Sequence, residues 1–128
     1  MHLAPELLLL LFLVITFLQS GADKVLDWKG NLGWLKEHFA KSPFKHVVPF
    51  LLATVTIVEL SASLLCLSGL FQLLVTGKGF LALAGAILSC IALLMLLLGQ
   101  RIARDYDGAR TIVIYFVPAI FLVYLLAP

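Results

Sequence analysis

The chain has 128 residues, of which 62% are hydrophobic and 12% are charged, and its formal net charge is +2. A soluble domain usually carries about 25% charged residues and about half apolar ones, so this chain has too few polar groups to cover a water-facing surface. The composition excludes an ordinary soluble domain and predicts an integral membrane protein.

Four apolar runs lie between the charged segments. Each predicts a transmembrane helix, because a helix satisfies its own backbone hydrogen bonds in lipid. The predicted spans cover about residues 3–20, 47–75, 80–98 and 111–127. About 20 residues cross the hydrocarbon core, so the second span has residues to spare, whereas the first and fourth are short. The predicted fold is all-α, a single transmembrane domain over residues 1–128 that forms a four-helix bundle.

The first run also has features of a secretory signal peptide, since small residues follow its Leu-rich stretch at Ser20, Gly21 and Ala22. The residues that precede the stretch, His2 and Glu6 among them, include no Lys or Arg. A signal peptide normally carries basic residues there. We therefore interpret this run as a retained span.

The segment between the first two spans predicts a short amphipathic helix over about residues 28–41. Its apolar residues recur at helical spacing on one face: Trp28, Leu32, Leu35 and Phe39. Trp34 points away from that face, and Pro43 should stop the helix because the residue before proline avoids the α region. Such a helix lies in the membrane interface, where tryptophans act as anchors. An irregular amphipathic loop is the alternative.

Basic residues are unequally distributed between the two sides of the membrane. With four spans, the first and third loops share one side. They hold all the Lys and Arg residues except Lys78, which lies in the turn between the second and third spans. Because basic loops of multi-pass proteins face the cytoplasm, we predict that loops one and three are cytoplasmic and that both termini lie outside.

The second and third spans are joined by Gly77-Lys78-Gly79, a turn so short that they must form an antiparallel hairpin. Residues at equal depth then have numbers that add up to about twice 78, which pairs Cys66 with Cys90. The two cysteines are either a redox dithiol or small residues that pack closely. The lack of a Cys-x-x-Cys motif favours packing.

Glu59 is an acid within the second span, where a charge costs a few kcal/mol and normally faces a partner, a cavity or a ligand. Its equal-depth position is residue 97, so Gln100 and Arg101 lie only about 4.5 to 6 Å further toward the cytoplasmic surface. Lys24 emerges from the first span on the same side. We predict that these four residues form a polar cluster.

Three interpretations of the polar cluster remain open. It is a structural ion pair that locks the bundle, a site for the head of a quinone or another small amphipathic molecule, or a path for protons or ions through Glu59. In the second interpretation, Trp28, Trp34 and the basic residues frame the site. A path is the weakest of the three, because one acid without others along a pore makes a poor relay.

The loop between the last two spans is the most polar stretch of the chain. Arg101 with Asp105, and Arg104 with Asp107, have the spacing of helical ion pairs, which predicts that the third helix continues past the bilayer and stops at Gly108. Two aspartates alone make a poor metal cage, so no metal site is predicted. A docking surface for a soluble partner is a second interpretation of this loop.

The sequence contains no recognisable catalytic motif, so whether the protein is an enzyme stays open. The histidines, His2, His38 and His46, lie at or beyond the predicted membrane edges. A haem held between spans needs histidines that project into the bundle, so no haem is predicted.

Three features occur together along nearly the whole chain: Ser20-Gly21 with Lys24 after the first span, Glu59 followed by Gly69, and a third span rich in small residues. On these features the chain resembles the DoxX-like family of small four-span bacterial membrane proteins. The resemblance implies a bundle in the bacterial inner membrane. It also implies a role as a small subunit of a thiosulfate:quinone oxidoreductase, as in some members, or as an accessory to redox enzymes, as in others.

Our functional hypothesis is therefore a small accessory subunit of a membrane redox or quinone-linked assembly, with quinone as the candidate cofactor. Its partners would be the bilayer and a larger membrane complex, or further copies of the chain, but not nucleic acid. The alternative is a structural or assembly factor that packs against a larger membrane complex without contacting substrate. Whether Glu59 faces a cavity inside the bundle distinguishes the two.

Overall fold

The computed structural model describes residues 3–127, and within that range the chain forms five α-helices and no strand. The helices are α1 (Ala4–Leu26), α2 (Trp28–His38), α3 (Val48–Thr76), α4 (Phe80–Ile102) and α5 (Tyr106–Leu126). All but α2 are long and apolar enough to cross a membrane. The predicted fold class is confirmed: the protein is an all-α, multi-pass membrane protein with a short helix between its first two spans.

The helices extend beyond the apolar runs at the end of the bundle that carries α2. α1 continues to Leu26, α4 reaches Ile102 and α5 begins at Tyr106, whereas α2 ends at His38, three residues before the predicted end. Hydropathy identifies only the residues that are suited to lipid. A helix can continue beyond them through polar residues, as long as its backbone N–H and C=O groups still find hydrogen-bond partners. As a result, Lys24 is part of α1.

Local sequence signals fix the α3–α4 hairpin. Gly77 adopts the left-handed conformation with φ 73°, and its N–H donates to the carbonyl of Leu73 at 3.0 Å. Glycine ends helices in this way because it carries no Cβ. The N–H of Leu81, in the first turn of α4, donates to the Gln72 side chain at 3.1 Å. We call this end of the bundle the hairpin end, and the opposite end the α2 end.

The end of α4 corrects one prediction. The N–H of Asp105 donates to the carbonyl of Gln100 at 2.9 Å and the N–H of Arg104 to Arg101 at 3.2 Å, the pattern of a Schellman motif. Arg104 holds the left-handed position with φ 61°. The helix therefore stops before Gly108, which instead lies in the first turn of α5. The predicted pairs of Arg101 and Arg104 are replaced by a pair between Arg110 and Asp107.

The spans pack in the order α1, α3, α4, α5. Each neighbouring pair is in extended contact, whereas α1 and α5 meet over far fewer residues, so one corner of the bundle is loosely closed. The core contains buried large side chains from all four spans: Leu10, Leu13, Phe17, Leu73, Leu93 and Leu122. Exposed residues such as Leu64 and Ile114 give the spans their lipid-facing surface.

Small residues bring α3 and α4 into backbone contact toward the hairpin end. A Cβ added to Gly85 would lie 2.7 Å from the backbone nitrogen of Cys66, and one added to Gly69 would overlap the backbone of Ala82. Cys66 and Cys90 are buried free thiols, and the Cys66 Sγ lies 3.7 Å from the Ser89 hydroxyl. These contacts indicate that the small residues allow α3 and α4 to approach each other closely.

Candidate functional site

An ion pair joins α1 to α3 inside the α2 end of the bundle. The Nζ atom of Lys24 lies 2.9 Å from Oε1 of Glu59 and donates a hydrogen bond to the Ser20 hydroxyl at 2.7 Å. The Glu59 side chain is 2% exposed and that of Lys24 is 17% exposed. A carboxylate at this depth needs a countercharge, and Lys24 supplies it.

The ion pair is close but poorly directed. Among the described residues, Oε1 of Glu59 is the one fully buried side-chain oxygen or nitrogen that receives no hydrogen bond of good geometry. The attraction between the two charges does not depend on angle, but a hydrogen bond does. Glu59 is thus neutralised while retaining an unused acceptor site.

Close contact between α1 and α3 positions the pair. A Cβ added to Gly21 would lie 2.5 Å from the Leu60 side chain, which would have to move, so glycine favours the close approach of α1 to α3 here. Gly21 lies three residues before Lys24, and Leu60 follows Glu59. The two charged residues therefore meet next to this contact.

One cavity lies beneath α2, between the start of α3 and the end of α4, and we call it the α2 cavity. Its volume is about 370 Å³. The polar or aromatic residues that line it include Lys24, Asn31, Trp34, His38 and Gln100. Its aliphatic lining includes Leu51, Leu52, Val55, Met95, Leu96 and Leu98. The cavity thus has a polar part close to the membrane surface and an apolar part that extends into the bundle.

His38 connects α2 to the end of α4 through polar contacts. Its Nε2 lies 3.1 Å from Oε1 of Gln100 and 3.5 Å from a carboxylate oxygen of Asp105. Because both neighbours are acceptors, Nε2 carries the proton. The Trp34 ring stacks on the imidazole with 4.5 Å between centroids and 17° between planes. This stack forms an aromatic wall of the α2 cavity.

Two hydrogen-bond donors at the α2 cavity retain free capacity. The Gln100 carboxamide accepts from His38 through its oxygen, and its NH₂ group makes no hydrogen bond to any other described residue. The ammonium of Lys24 has three N–H donors. The Ser20 hydroxyl accepts from one, and the Glu59 carboxylate lies beside a second without a well-directed hydrogen bond, so the third is free. Asn31, in contrast, donates to the backbone carbonyls of residues 23 and 27.

The second cavity lies at the loosely closed corner of the bundle, and we call it the α1/α5 cavity. Its volume is about 390 Å³. Glu59 lines it together with residues of α1, α4 and α5, which include Phe17, Gln19, Leu93, Ile112 and Tyr115. Leu96 lines both cavities. Lys24 lines one cavity and Glu59 the other, so the ion pair and Leu96 separate them.

The predicted polar cluster is divided in the structure. Lys24 and Glu59 are in contact, and Gln100 shares the α2 cavity with Lys24. Arg101 is exposed and lies over the Tyr106 ring, 4.9 Å from its centroid, rather than beside Glu59. The equal-depth arithmetic carries no information on the face from which a side chain leaves its helix.

The predicted interfacial residues fall into two groups. Trp34, Leu35 and Phe39 line the α2 cavity, whereas Trp28 and Leu32 are half-buried and do not line it. Phe39 is the most buried of the five, and a Cβ added to Gly99 of α4 would lie 3.4 Å from its ring. The Trp34 side chain is 56% exposed but still contributes its ring to the cavity wall.

Sequence reasoning missed the role of His38. His38 was excluded as a haem ligand because it lies at the membrane edge. In the structure, the same position allows it to connect α2 to the end of α4. Its neighbour Phe39 belonged to the predicted apolar face, which was a usable signal that this turn of the helix packs inward. No group of three or more metal-ligating side chains occurs within residues 3–127, and His2 lies outside that range.

Comparisons of the chain with protein-family models, with curated proteins and with solved structures give no match.

Proposed function

We propose that the protein binds the head group of a quinone in the α2 cavity and serves as a small accessory subunit of a redox assembly in the bacterial inner membrane. The observation that carries the proposal is a cavity with free hydrogen-bond donors at its polar part and aliphatic walls beyond them. The resemblance to the DoxX-like family supports the same class of function and the same membrane.

The donors suit a quinone because its head presents two carbonyl oxygens and no hydrogen-bond donor. The Gln100 NH₂ group and the third N–H of Lys24 are free to donate to such oxygens. The stacked rings of Trp34 and His38 offer a flat surface to the quinone ring. Each requirement of the head is thus met by a residue that lines the α2 cavity.

The size and lining of the cavity suit the rest of such a molecule. Small-molecule sites usually measure about 300 to 1,000 Å³ and are mainly apolar with a few polar groups, and the α2 cavity, at about 370 Å³, falls in this range. Leu51, Val55 and Met95 continue the cavity with aliphatic surface, where the start of an isoprenoid tail fits.

An accessory role follows from what surrounds the cavity. The α2 end exposes Arg101 and Arg104, which follow the cavity residue Gln100 along the chain, and basic groups of this kind suit an acidic partner protein. By the distribution of basic residues, this end would face the cytoplasm. A redox partner docked there would lie next to the quinone head.

Binding of decylubiquinone to the purified protein in lipid nanodiscs tests the proposal. Gln100→Leu removes both free amide donors and should weaken binding about tenfold, the effect of losing about 1.4 kcal/mol. Val55→Phe should reduce binding further by filling the aliphatic part of the cavity. Gln19→Leu makes the same chemical change in the α1/α5 cavity and should leave the affinity unchanged.

Native extraction of the tagged protein supplies the second half of the test. Co-purified quinone together with a redox enzyme supports the accessory role. Equal affinity of wild type and Gln100→Leu for decylubiquinone contradicts the quinone site. Stable co-purification of a membrane complex without quinone points instead to a structural or assembly factor.

A further inference from the structure

We propose that the α1/α5 cavity is a second binding site, selective for amphiphiles whose head group is a hydroxyl that donates a hydrogen bond, such as an alkylphenol. This assignment does not depend on what occupies the α2 cavity. It follows from a buried carboxylate that receives no well-directed hydrogen bond from the described residues, from the charge around it and from the route by which it is reached.

The acceptor is the carboxylate of Glu59. The residue is 1% exposed, it lines the α1/α5 cavity, and its Oε1 atom receives no well-directed hydrogen bond from the described residues. Buried carboxylate oxygens normally accept one or more hydrogen bonds, because they have lost those of water. A hydroxyl in the cavity supplies the missing donor.

The charge balance of the site favours a neutral donor over a cation. Lys24 approaches Glu59 to 2.9 Å and neutralises it, so a second positive charge would meet the ammonium without a free countercharge. An amphiphile with a hydroxyl head adds a hydrogen bond and leaves the ion pair intact. The geometry therefore points to alcohols and phenols rather than to amines.

The walls of the cavity suit a flat apolar body. Phe17, Leu93 and Leu96 line it from the bundle, and Tyr115 lines it from α5. The Tyr115 ring stacks on Phe12 of α1, with 6.0 Å between centroids and 25° between planes. An aromatic head between these side chains would meet aliphatic and aromatic surface on several sides.

Access to the cavity is from the side of the bundle. α1 and α5 are the neighbouring spans with the least contact, and the cavity lies where they diverge. Ile15 lines the cavity and is 61% exposed at the lipid-facing surface. A lipophilic phenol already dissolved in the bilayer thus reaches Glu59 without crossing the polar α2 end.

The two cavities are opposite in their hydrogen-bond preference. The α2 cavity offers free donors at Lys24 and Gln100, whereas the α1/α5 cavity offers an unused acceptor at Glu59. Carbonyl heads therefore suit the donors of the α2 cavity, and a hydroxyl head suits the Glu59 carboxylate.

Photolabelling with a matched pair of probes tests this inference. 4-Octylphenol and its methyl ether, each with a diazirine in the alkyl chain, differ only in the hydroxyl hydrogen. In phosphatidylcholine nanodiscs, we expect the phenol to label residues 15–20 and 112–115 at least tenfold more strongly than the ether does. Mass spectrometry of the labelled peptides locates the adducts.

Ile112→Phe fills the α1/α5 cavity while keeping both charges, and it should reduce phenol labelling of these segments to a tenth or less. Val55→Phe fills the α2 cavity and should leave that labelling unchanged. Glu59→Gln should reduce the preference for phenol over ether, and the Ile112→Phe result decides the matter if that variant fails to fold. Equal labelling by the two probes, or full labelling of folded Ile112→Phe, overturns the proposal.

Discussion

The two ends of the bundle use the same pair of helices in opposite ways. Toward the hairpin end, α3 and α4 touch through Gly69, Ala82, Gly85 and Cys66, and their backbones fill the space between them. At the α2 end, the same helices present leucines, a valine and a methionine around a cavity. The size of the residues along one helix pair thus decides which half holds the bundle together and which half has room for a ligand.

The largest expected effect comes from breaking the ion pair at the α2 end. Lys24→Met leaves the Glu59 carboxylate buried without its countercharge, which should cost about 3 to 5 kcal/mol in the free energy of unfolding. Glu59→Leu should cost less, because the longer Lys24 side chain can carry its ammonium toward the membrane surface. Thermal unfolding in detergent measures both.

The double variant Lys24→Met/Glu59→Leu should be close to the wild type in stability, since replacing both charges with apolar residues removes the desolvation cost as well as the attraction. Lys29→Met, on the exposed surface of α2, is the matched control and should change little. If the double variant is as unstable as the two single variants combined, the pair is not the interaction that stabilises this end.

A smaller loss should follow from changing the hairpin end. Gly85→Ala places a methyl group 2.7 Å from the Cys66 backbone nitrogen, so α3 and α4 must separate. Overpacking of this kind costs about 1 to 3 kcal/mol. In the same unfolding assay, Gly33→Ala should instead stabilise by up to about 1 kcal/mol, because nothing lies within 4 Å of the added group. Equal effects at the two glycines would show that the helices tolerate separation.

The smallest effect should be a gain at the outer edge of the α2 end. Arg104 is exposed and left-handed, with φ 61°, a conformation that glycine adopts without strain. Arg104→Gly should therefore raise the free energy of unfolding by about 0.5 to 1 kcal/mol. Arg110→Gly, inside the first turns of α5, should lower it by a similar amount. A loss of stability in Arg104→Gly would mean that the arginine makes contacts that offset its strain.

Much of the fold was predictable because the membrane imposes simple rules. The positions of four spans follow from hydropathy, and the α3–α4 hairpin follows from a turn of three residues between Thr76 and Phe80. The amphipathic pattern of α2 located that helix, but of its predicted apolar face only Leu35 and Phe39 line the α2 cavity, and Trp34, predicted to point away, lines it as well. These features depend on composition and on local spacing, both of which can be read directly from the sequence.

The candidate site was predictable only in part, because it depends on the direction in which side chains leave neighbouring helices. Lys24 was correctly placed on the same side as Glu59, but its contact required α1 to continue six residues past the apolar run, to Leu26. Arg101 was predicted to lie near Glu59, but its side chain lies over the Tyr106 ring instead. The two cavities arise from the loose α1–α5 corner and from the position of α2, neither of which is encoded by local spacing.

The position of Lys24 and Glu59 on different spans has a consequence for biosynthesis. α1 leaves the ribosome before α3, so its lysine reaches the membrane before the acid does. Glu59 would cost a few kcal/mol in lipid if α3 were inserted alone, and much of this cost is removed when Lys24 is already alongside. The ion pair therefore makes the insertion of α3 less costly once α1 is in the membrane.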